Sequence, residues 1–426
     1  MKNLITAVLL LSLLSCNTKP DKAILHKEDY NKYLNTETNA SLEKAKKNKE
    51  FWSKRIEEDS TKITGITKLA PVHNNIFNAT GNVEELYVSE KLIKKALSLA
   101  AKNKDGHLRS LAHNYISQHR FKEAKTLLDS AYTYKDNKYA TELMLFDISM
   151  ELGQYDEAEE YLKKVKDNGN YNYLIRLAKW SDYKGNLDGA INYMEKAMKI
   201  AGSSGDKSLK VWSYSNLGDF YGHAGRIEDS YKYYLKTLAI EPDNAYAKKG
   251  LAWIAYSYEK DTEEANRILD SVMVNHKSPD YHLLKAEMAE FNNDETKVEK
   301  HNEKFLTSLS ENDYKGMYNA YLIEYYAEDH PEKALELAKE EVNNRATPET
   351  YSLLALAELK AGNKEEALQA IEQHVEGKTF EPMAQYYSAL VYKANGQKGK
   401  VTPLKDELSG ASYELGPVLA KKIAQL

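Results

Sequence analysis

Apolar positions along this chain recur on two length scales. Within short stretches they return every three or four residues. From Ala40 to Asp59, for example, Leu42, Ala45, Trp52 and Ile56 form one stripe between charged side chains, which predicts a helix with one buried face. Across the chain a column of small residues returns with a longer period: Ala124, Ala158, Ala190, Ser230, Ala265, Val298, Ala334, Ala367 and Val401. The steps are 34, 32, 40, 35, 33, 36, 33 and 34 residues. Two further columns keep the same frame. Five residues earlier stand His119, Gly153, Gly185, Gly225, Lys260, Asn293, Asp329, Gly362 and Gly396, of which five are glycine. Twelve residues earlier stand Ala112, Phe146, Ala178, Gly218, Trp253, Ala286, Leu322, Ala355 and Ala389, of which six are Gly or Ala. Small residues at two helix positions let paired helices approach closely. A Gly, Asn or Asp between them ends the first helix in a left-handed turn. The unit is therefore a helical hairpin, repeated down the chain.

The irregularities carry information too. Lys260 marks a one-residue insertion, and Gly202-Ser203-Ser204-Gly205-Asp206, in the 40-residue step, reads as a flexible loop. Ile76 to Gly81 supplies the turn of an earlier unit, whose second helix runs from Val83 to Ala101. Leu415, Leu419, Ile423 and Leu426 share a stripe beside Lys421 and Lys422, as expected of a terminal helix covering the last unit. Lys22 to Thr38 is polar without a period and reads as a tether. The expected organisation is 1–15 as a leader, 16–39 as a tether, 40–104 as an N-terminal helix with the first repeat, 105–409 as eight to nine repeats, and 410–426 as a cap.

Val211 to Asn244 resembles a tetratricopeptide repeat: Tyr214, Leu217, Gly218, Tyr221, Gly225, Ser230, Tyr234, Thr237 and Pro242 fall at that motif's spacings. The units around Gly153, Gly185 and Gly362 are similar with one or two departures, and those around Asn293 and Asp329 are degenerate. The resemblance covers roughly residues 65–426. It implies an all-α fold, a right-handed α-solenoid of stacked helix–turn–helix repeats, with a concave inner surface made by the first helices.

The N-terminus adds a second resemblance. Met1-Lys2-Asn3 is a short positive start, and Leu4 to Leu14 is an apolar run too short to span a bilayer but suited to a signal peptide. Leu13-Leu14-Ser15-Cys16 resembles the bacterial lipobox, in which the cysteine thiolate accepts a diacylglyceryl group and becomes the new N-terminus. Cys16 is the only cysteine, which excludes an internal disulfide and a cysteine metal site. A covalent lipid on Cys16 is thus expected, and no cofactor. Asn17, rather than an aspartate, follows; by the resemblance this implies the outer membrane, with its periplasmic or outward face left open.

Composition narrows the partners. The chain is 29 % charged with a net charge of −5 and no basic block, which disfavours nucleic acid. Tyrosine (32) far outnumbers phenylalanine (8), which suits half-buried helix faces with a wet hydroxyl. Signatures of the common zinc, phosphate-loop and serine-nucleophile enzymes are missing, which points away from catalysis. His107, His113 and His119 step round a helix by about 240° each, so they point apart and form no metal site. Pairs such as Glu84-Glu85 and Glu263-Glu264 open second helices, where carboxylates favour the helix dipole.

Carrying one helix face through the frame gives the candidate inner groove: Arg109, His113, Asp147, Lys179, Asp182, Tyr183, Trp212, Asp219, His223, Trp253 and Tyr256, with Ser215, Glu287, Glu290 and Tyr326 beside them. A mixed-charge, aromatic face of this kind suits a protein or peptide partner. It lacks the Lys/Asn pattern by which some relatives clamp a C-terminal carboxylate. The expected function is a membrane-anchored, non-enzymatic interaction scaffold of the bacterial envelope. The alternative is a substrate-binding lipoprotein of a nutrient-uptake system of the starch-utilisation (SusD-like) type. That type carries large insertions between units, for which the regular spacing leaves no room.

Overall fold

The computed structural model describes residues 23–34, 37–59, 61–134 and 136–426, so Cys16 and the apolar run before it lie outside the described residues. Among those residues all regular structure is helical. A short α1 (Lys27–Tyr30) and a long α2 (Ala40–Glu58) precede the array. Then come ten antiparallel pairs: α3 (Ile63–Thr80) with α4 (Glu84–Leu99), α5 (Lys104–Ser117) with α6 (Phe121–Tyr132), α7 (Lys138–Glu151) with α8 (Tyr155–Lys164), α9 (Tyr171–Tyr183) with α10 (Leu187–Ser204), and α11 (Lys207–His223) with α12 (Ile227–Ile240). The second five are α13 (Ala245–Trp253) with α14 (Thr262–Asn275), α15 (Asp280–Phe291) with α16 (Glu295–Glu311), α17 (Asn319–Tyr326) with α18 (Pro331–Asn344), α19 (Pro348–Lys360) with α20 (Lys364–His374), and α21 (Pro382–Ala394) with α22 (Lys398–Gly410). Helix α23 (Ser412–Ala424) closes the chain. The fold is an all-α repeat solenoid.

The three columns act as their residue types require. Every turn-column position except Asp329 has positive φ, including His119, Lys260 and Asn293. At the exception, Pro331 opens the next helix instead, where its fixed φ suits the first turn. Ala124, Ala158, Ala190, Ser230, Ala265, Ala334 and Ala367 are fully buried. A tight fit surrounds Tyr234, whose ring lies between two backbones. A Cβ on Gly218 would stand 2.6 Å from that ring, and one on Gly250 2.4 Å.

One irregularity departs from expectation, and the other acquires a structural cause. The Gly202–Gly205 stretch is not a loop: α10 continues to Ser204 and ends at Gly205 in a left-handed turn. The extra residue before Lys260 is absorbed by a π-helical turn, Ile254–Tyr258, which extends α13. The bulge shifts the frame by one, so Ala252 takes the fully buried small position and Trp253 faces inward.

The array coils until its turns touch. The Lys277 N–H donates to the Thr80 carbonyl at 2.7 Å. A Cβ on Gly153 would lie 2.4 Å from the Ala346 oxygen, and one on Gly185 2.8 Å from the Phe380 ring. In each case the turn inside one pair meets the loop that follows the fifth pair beyond it. Glycine is needed there for approach as well as for φ.

Both ends of the described chain converge on the α13–α14 pair. Residues 23–34 are docked rather than free, correcting the tether reading for that stretch. The Ile24 and Leu25 amides donate to Glu259 Oε1 at 2.6 and 2.8 Å, and the fully buried Tyr30 donates to Glu264 at 2.7 Å. The few apolar residues in this polar stretch supply the packing. From the other side, α23 spans the inside of the coil. Leu415 and Ile423 pack on the last pairs, while Val418 joins the core around α13 and α14. Trp253 Nε1 and Ser257 Oγ both donate to the Tyr413 carbonyl, at 3.1 and 2.5 Å.

Candidate inner cavity

The first helix of each pair faces inward. Helices α11, α13, α15 and α17, together with α23, enclose a cavity of about 840 Å³. That volume lies in the range of small-ligand and peptide pockets. Of the residues chosen from sequence, Asp219, His223, Trp253, Glu287 and Glu290 line it. Sequence reasoning missed Tyr246, Lys249, Asp280, Tyr321, Glu324 and Tyr325, which line it too. The last three lie in the degenerate α17 unit, where the carried offset selected Tyr326. That ring instead packs edge-on against His330.

The remaining candidates are scattered. Tyr256 is fully buried, and only its hydroxyl reaches the site, donating to Glu287 at 2.9 Å. The π-helical turn rotates it off the surface. Trp212 is exposed at an adjoining recess between α2, α3 and the α11–α15 region, which shares Tyr246, Lys249 and Asp280 with the cavity and where Ser215 also lies. Tyr183 stacks on Tyr155 at 4.1 Å, at the seam between coil turns. Arg109 pairs with Asp105 at 2.8 Å and donates to Thr141 at 3.0 Å. Asp147 pairs with Arg176 at 2.5 Å and Lys179 with Glu151 at 2.8 Å, while His113 is exposed. These groups do not converge on one site.

Within the cavity, tyrosines hold the carboxylates. Asp219 accepts from the Tyr234 and Tyr246 hydroxyls at 2.6 and 2.5 Å, and Glu324 accepts from Tyr387 at 2.6 Å. Two ammonium groups are present, and each has found a carboxylate: Lys249 pairs with Asp280 at 2.6 Å and Lys422 with Glu290 at 2.9 Å.

The walls exclude water enough to shift titration. Burial pushes Glu287 up to about 7 despite the hydrogen bond from Tyr256, and neighbouring Glu290 adds to the rise. Burial likewise raises Asp219 and Glu324, with the tyrosine hydrogen bonds opposing. A second acidic group lies along the bore, where burial, then Glu414, Glu349 and Asp182, push Glu381 up to about 7 while His223 opposes. Among the described residues no cluster of three metal-ligating side chains occurs, and no helix is long and apolar enough to cross a membrane.

Family models for the tetratricopeptide repeat match residues 115–170 and 213–244. Among curated proteins no match is found. Similar solved structures include PilW, a type IV pilus biogenesis factor, at 15 % identity over 50 % of this chain and 97 % of that one, with a TM-score of 0.39. A human IFIT1 dimer with PPP-AAAA shares 16 % identity over 73 % of this chain and 71 % of that one, with a TM-score of 0.48. The Cut9–Hcn1 hetero-tetramer of the APC/C shares 13 % over 90 % and 93 %, with a TM-score of 0.36.

Proposed function

The chain is a tetratricopeptide-repeat protein, and from that premise we propose that it is a membrane-anchored, non-enzymatic scaffold of the bacterial envelope that holds a protein or peptide partner in its inner cavity. Repeats of this family serve as protein-interaction scaffolds. The observation that carries the reading is the cavity itself, a concave space whose aromatic faces and oriented carboxylates are presented by four successive first helices. Such a surface offers the flat apolar area and polar anchors that concentrate interface energy. The nutrient-uptake alternative gains nothing, since among the described residues short connections join the helix pairs and no inserted domain interrupts them.

Anchoring rests on Cys16 and its flanking residues, with Asn17 favouring the outer membrane. An acyl-chain probe fed to cells should label the wild type and spare Cys16→Ser, which should leave the membrane fraction. An unlabelled wild type would remove the anchor from the proposal. Partner binding is tested by cross-linking in intact cells. Tyr246→Ala with Tyr321→Ala, two exposed cavity rings, should abolish capture without loss of helicity. Glu299→Gln with Glu303→Gln on the outer helix α16 should leave capture intact. Capture lost only in the outer pair would move the partner to the convex face.

A further inference from the structure

We propose that the cavity between α11, α13, α15, α17 and α23 is a site for a cationic peptide segment, one that inserts lysine or arginine side chains between its aromatic rings and carboxylates. This deepens the scaffold reading and rests on it.

The charge inventory is one-sided. Asp219, Asp280, Glu287, Glu290, Glu324 and Glu414 line the cavity against Lys249 and Lys422, with His223 at its edge. Both lysines are already engaged, one by Asp280 and the other by Glu290. That leaves Asp219, Glu287, Glu324 and Glu414, and the first three accept their hydrogen bonds from neutral tyrosine hydroxyls. A tyrosine hydroxyl fixes a carboxylate in place without cancelling its charge. Glu287 and Glu324 each use one oxygen in this way and keep the other for a ligand.

The rings supply a second recognition element, independent of charge. Trp253, Tyr246, Tyr321 and Tyr325 face the same space, and Tyr246 and Tyr321 are well exposed. Aromatic faces attract ammonium and guanidinium groups through the ring quadrupole, more strongly when water is excluded. Rings alone would suit any apolar side chain, and carboxylates alone would suit a hydrated metal ion. Together, in a space of about 840 Å³, they select an organic cation carried on a chain. Lys422 of α23 is a precedent within the molecule, since it reaches into the cavity wall and pairs there. Burying carboxylates without cations costs stability. Asp219 and Glu287 are half-buried and their raised titration expresses that cost, which an incoming cation would relieve, while Glu324 stands open to an approaching ligand.

The test is calorimetric titration of the full chain with the blocked pentapeptide Ala-Lys-Ala-Lys-Ala, its norleucine twin, and spermidine. The lysine peptide should bind at least tenfold more tightly than the twin and more tightly than spermidine. Glu287→Gln with Glu324→Gln, a near-isosteric pair, should weaken it at least tenfold with helicity unchanged. Glu299→Gln with Glu303→Gln should bind as the wild type does. Equal affinity for the norleucine twin, an unaffected double variant, or no heat from the lysine peptide would each overturn the proposal. Spermidine binding as tightly through the same carboxylates would also overturn it, by assigning the site to a free polyamine. If cellular capture depends on Tyr246 and Tyr321 while the lysine peptide is ignored, the cavity still holds a partner but not a cationic one.

Discussion

Along the first repeats the inner face settles its charges in pairs, Arg109 with Asp105, Arg176 with Asp147, and Lys179 with Glu151. From α11 onward the inner face carries Asp219, Glu287 and Glu324, and the partners of these three are tyrosine hydroxyls. The frame and helix geometry are shared, yet the electrostatics are opposite. Burial tends to raise the pKa of Glu151, but Lys179 and Arg345 outweigh it and hold the carboxyl low. For Glu287 nothing outweighs it, and the group rises to about 7. One half of the bore pairs its charges, and the other, beside its Lys249–Asp280 and Lys422–Glu290 pairs, holds three carboxylates by hydroxyls alone. A repeat architecture can thus divide its inner face into structural and receptive parts by changing the partner of a carboxylate.

The hydroxyl-held half depends on close ring packing, and this is where the largest effect is expected. Gly250→Val would place side-chain atoms against the Tyr234 ring, which Gly218 confines from the other side. Overpacking of this kind costs about 1–3 kcal/mol, and it would also draw the Tyr234 hydroxyl away from Asp219. Chemical denaturation should show the loss as a lower midpoint. Gly399→Ala, where no heavy atom lies within 4 Å of the added Cβ, should be neutral or slightly stabilising. Equal midpoints for the two variants would mean that Tyr234 is not tightly held.

Much of the fold could be read from the chain because each column rests on a local physical demand. A left-handed turn selects Gly, Asn or a tolerated His119, and close helix approach selects Ala, so the period survives in the letters. The inner face was readable only where the frame was strong. Asp219 and Trp253 were found in or beside the best-matching unit. Tyr321 and Glu324 were missed in the degenerate one, where a shift of one residue turns a side chain by about 100°. The contacts between coil turns and the path of α23 had no period to betray them. Phe380 against Gly185, or Tyr413 against Trp253, joins positions whose pairing depends on how pairwise rotations accumulate around the coil.

The titrations give a second, opposite-signed contrast. Glu287 and Glu381 hold their protons up to about 7 in the fold, whereas the unfolded chain releases them near the ordinary value of about 4.3. Between those values the folded state binds more protons, so stability falls as pH rises and the loss is complete above about 7. Glu90 and Glu264 behave conversely. Burial would raise them, but Lys94, Gln118 and Arg120 hold the first, and Arg267, Lys27 and Tyr30 the second, down at about 2. Their stabilisation is present above about 4.3 and is lost as pH falls towards 2. Thermal melts should therefore contain a component of stability lost between pH 5 and pH 8, set against the gain from histidines such as His301, which burial and nearby lysines hold down at about 4. Glu287→Gln should flatten that slope and gain about 1 kcal/mol at pH 8, a figure discounted because the cavity is partly wet. An unchanged slope in that variant would contradict an uncompensated Glu287.

The smallest effect is expected in the paired half. Lys179→Met removes an ammonium 2.8 Å from Glu151 but leaves Arg345, which approaches the same carboxylate to 3.6 Å from the next turn of the coil. Lys179 is 42 % exposed and Glu151 29 %, so solvent screens the pair and the expected cost is below about 1 kcal/mol. Its character distinguishes it more than its size. The difference from wild type should shrink as salt rises from low to physiological strength. Arg345→Met alone should cost more, because Lys179 compensates at Glu151 but not at Glu341, a buried carboxylate that Arg345 pairs with at 2.8 Å. Removing both leaves Glu151 without a cation, and the two losses should exceed their sum by about 0.5 kcal/mol or more. In that double variant Glu151 enters the condition of Glu287, and its stability should begin to fall with rising pH. A strictly additive double variant with an unchanged pH profile would show that the cations of the first half do not neutralise its carboxylates. The division between the two halves would then fail.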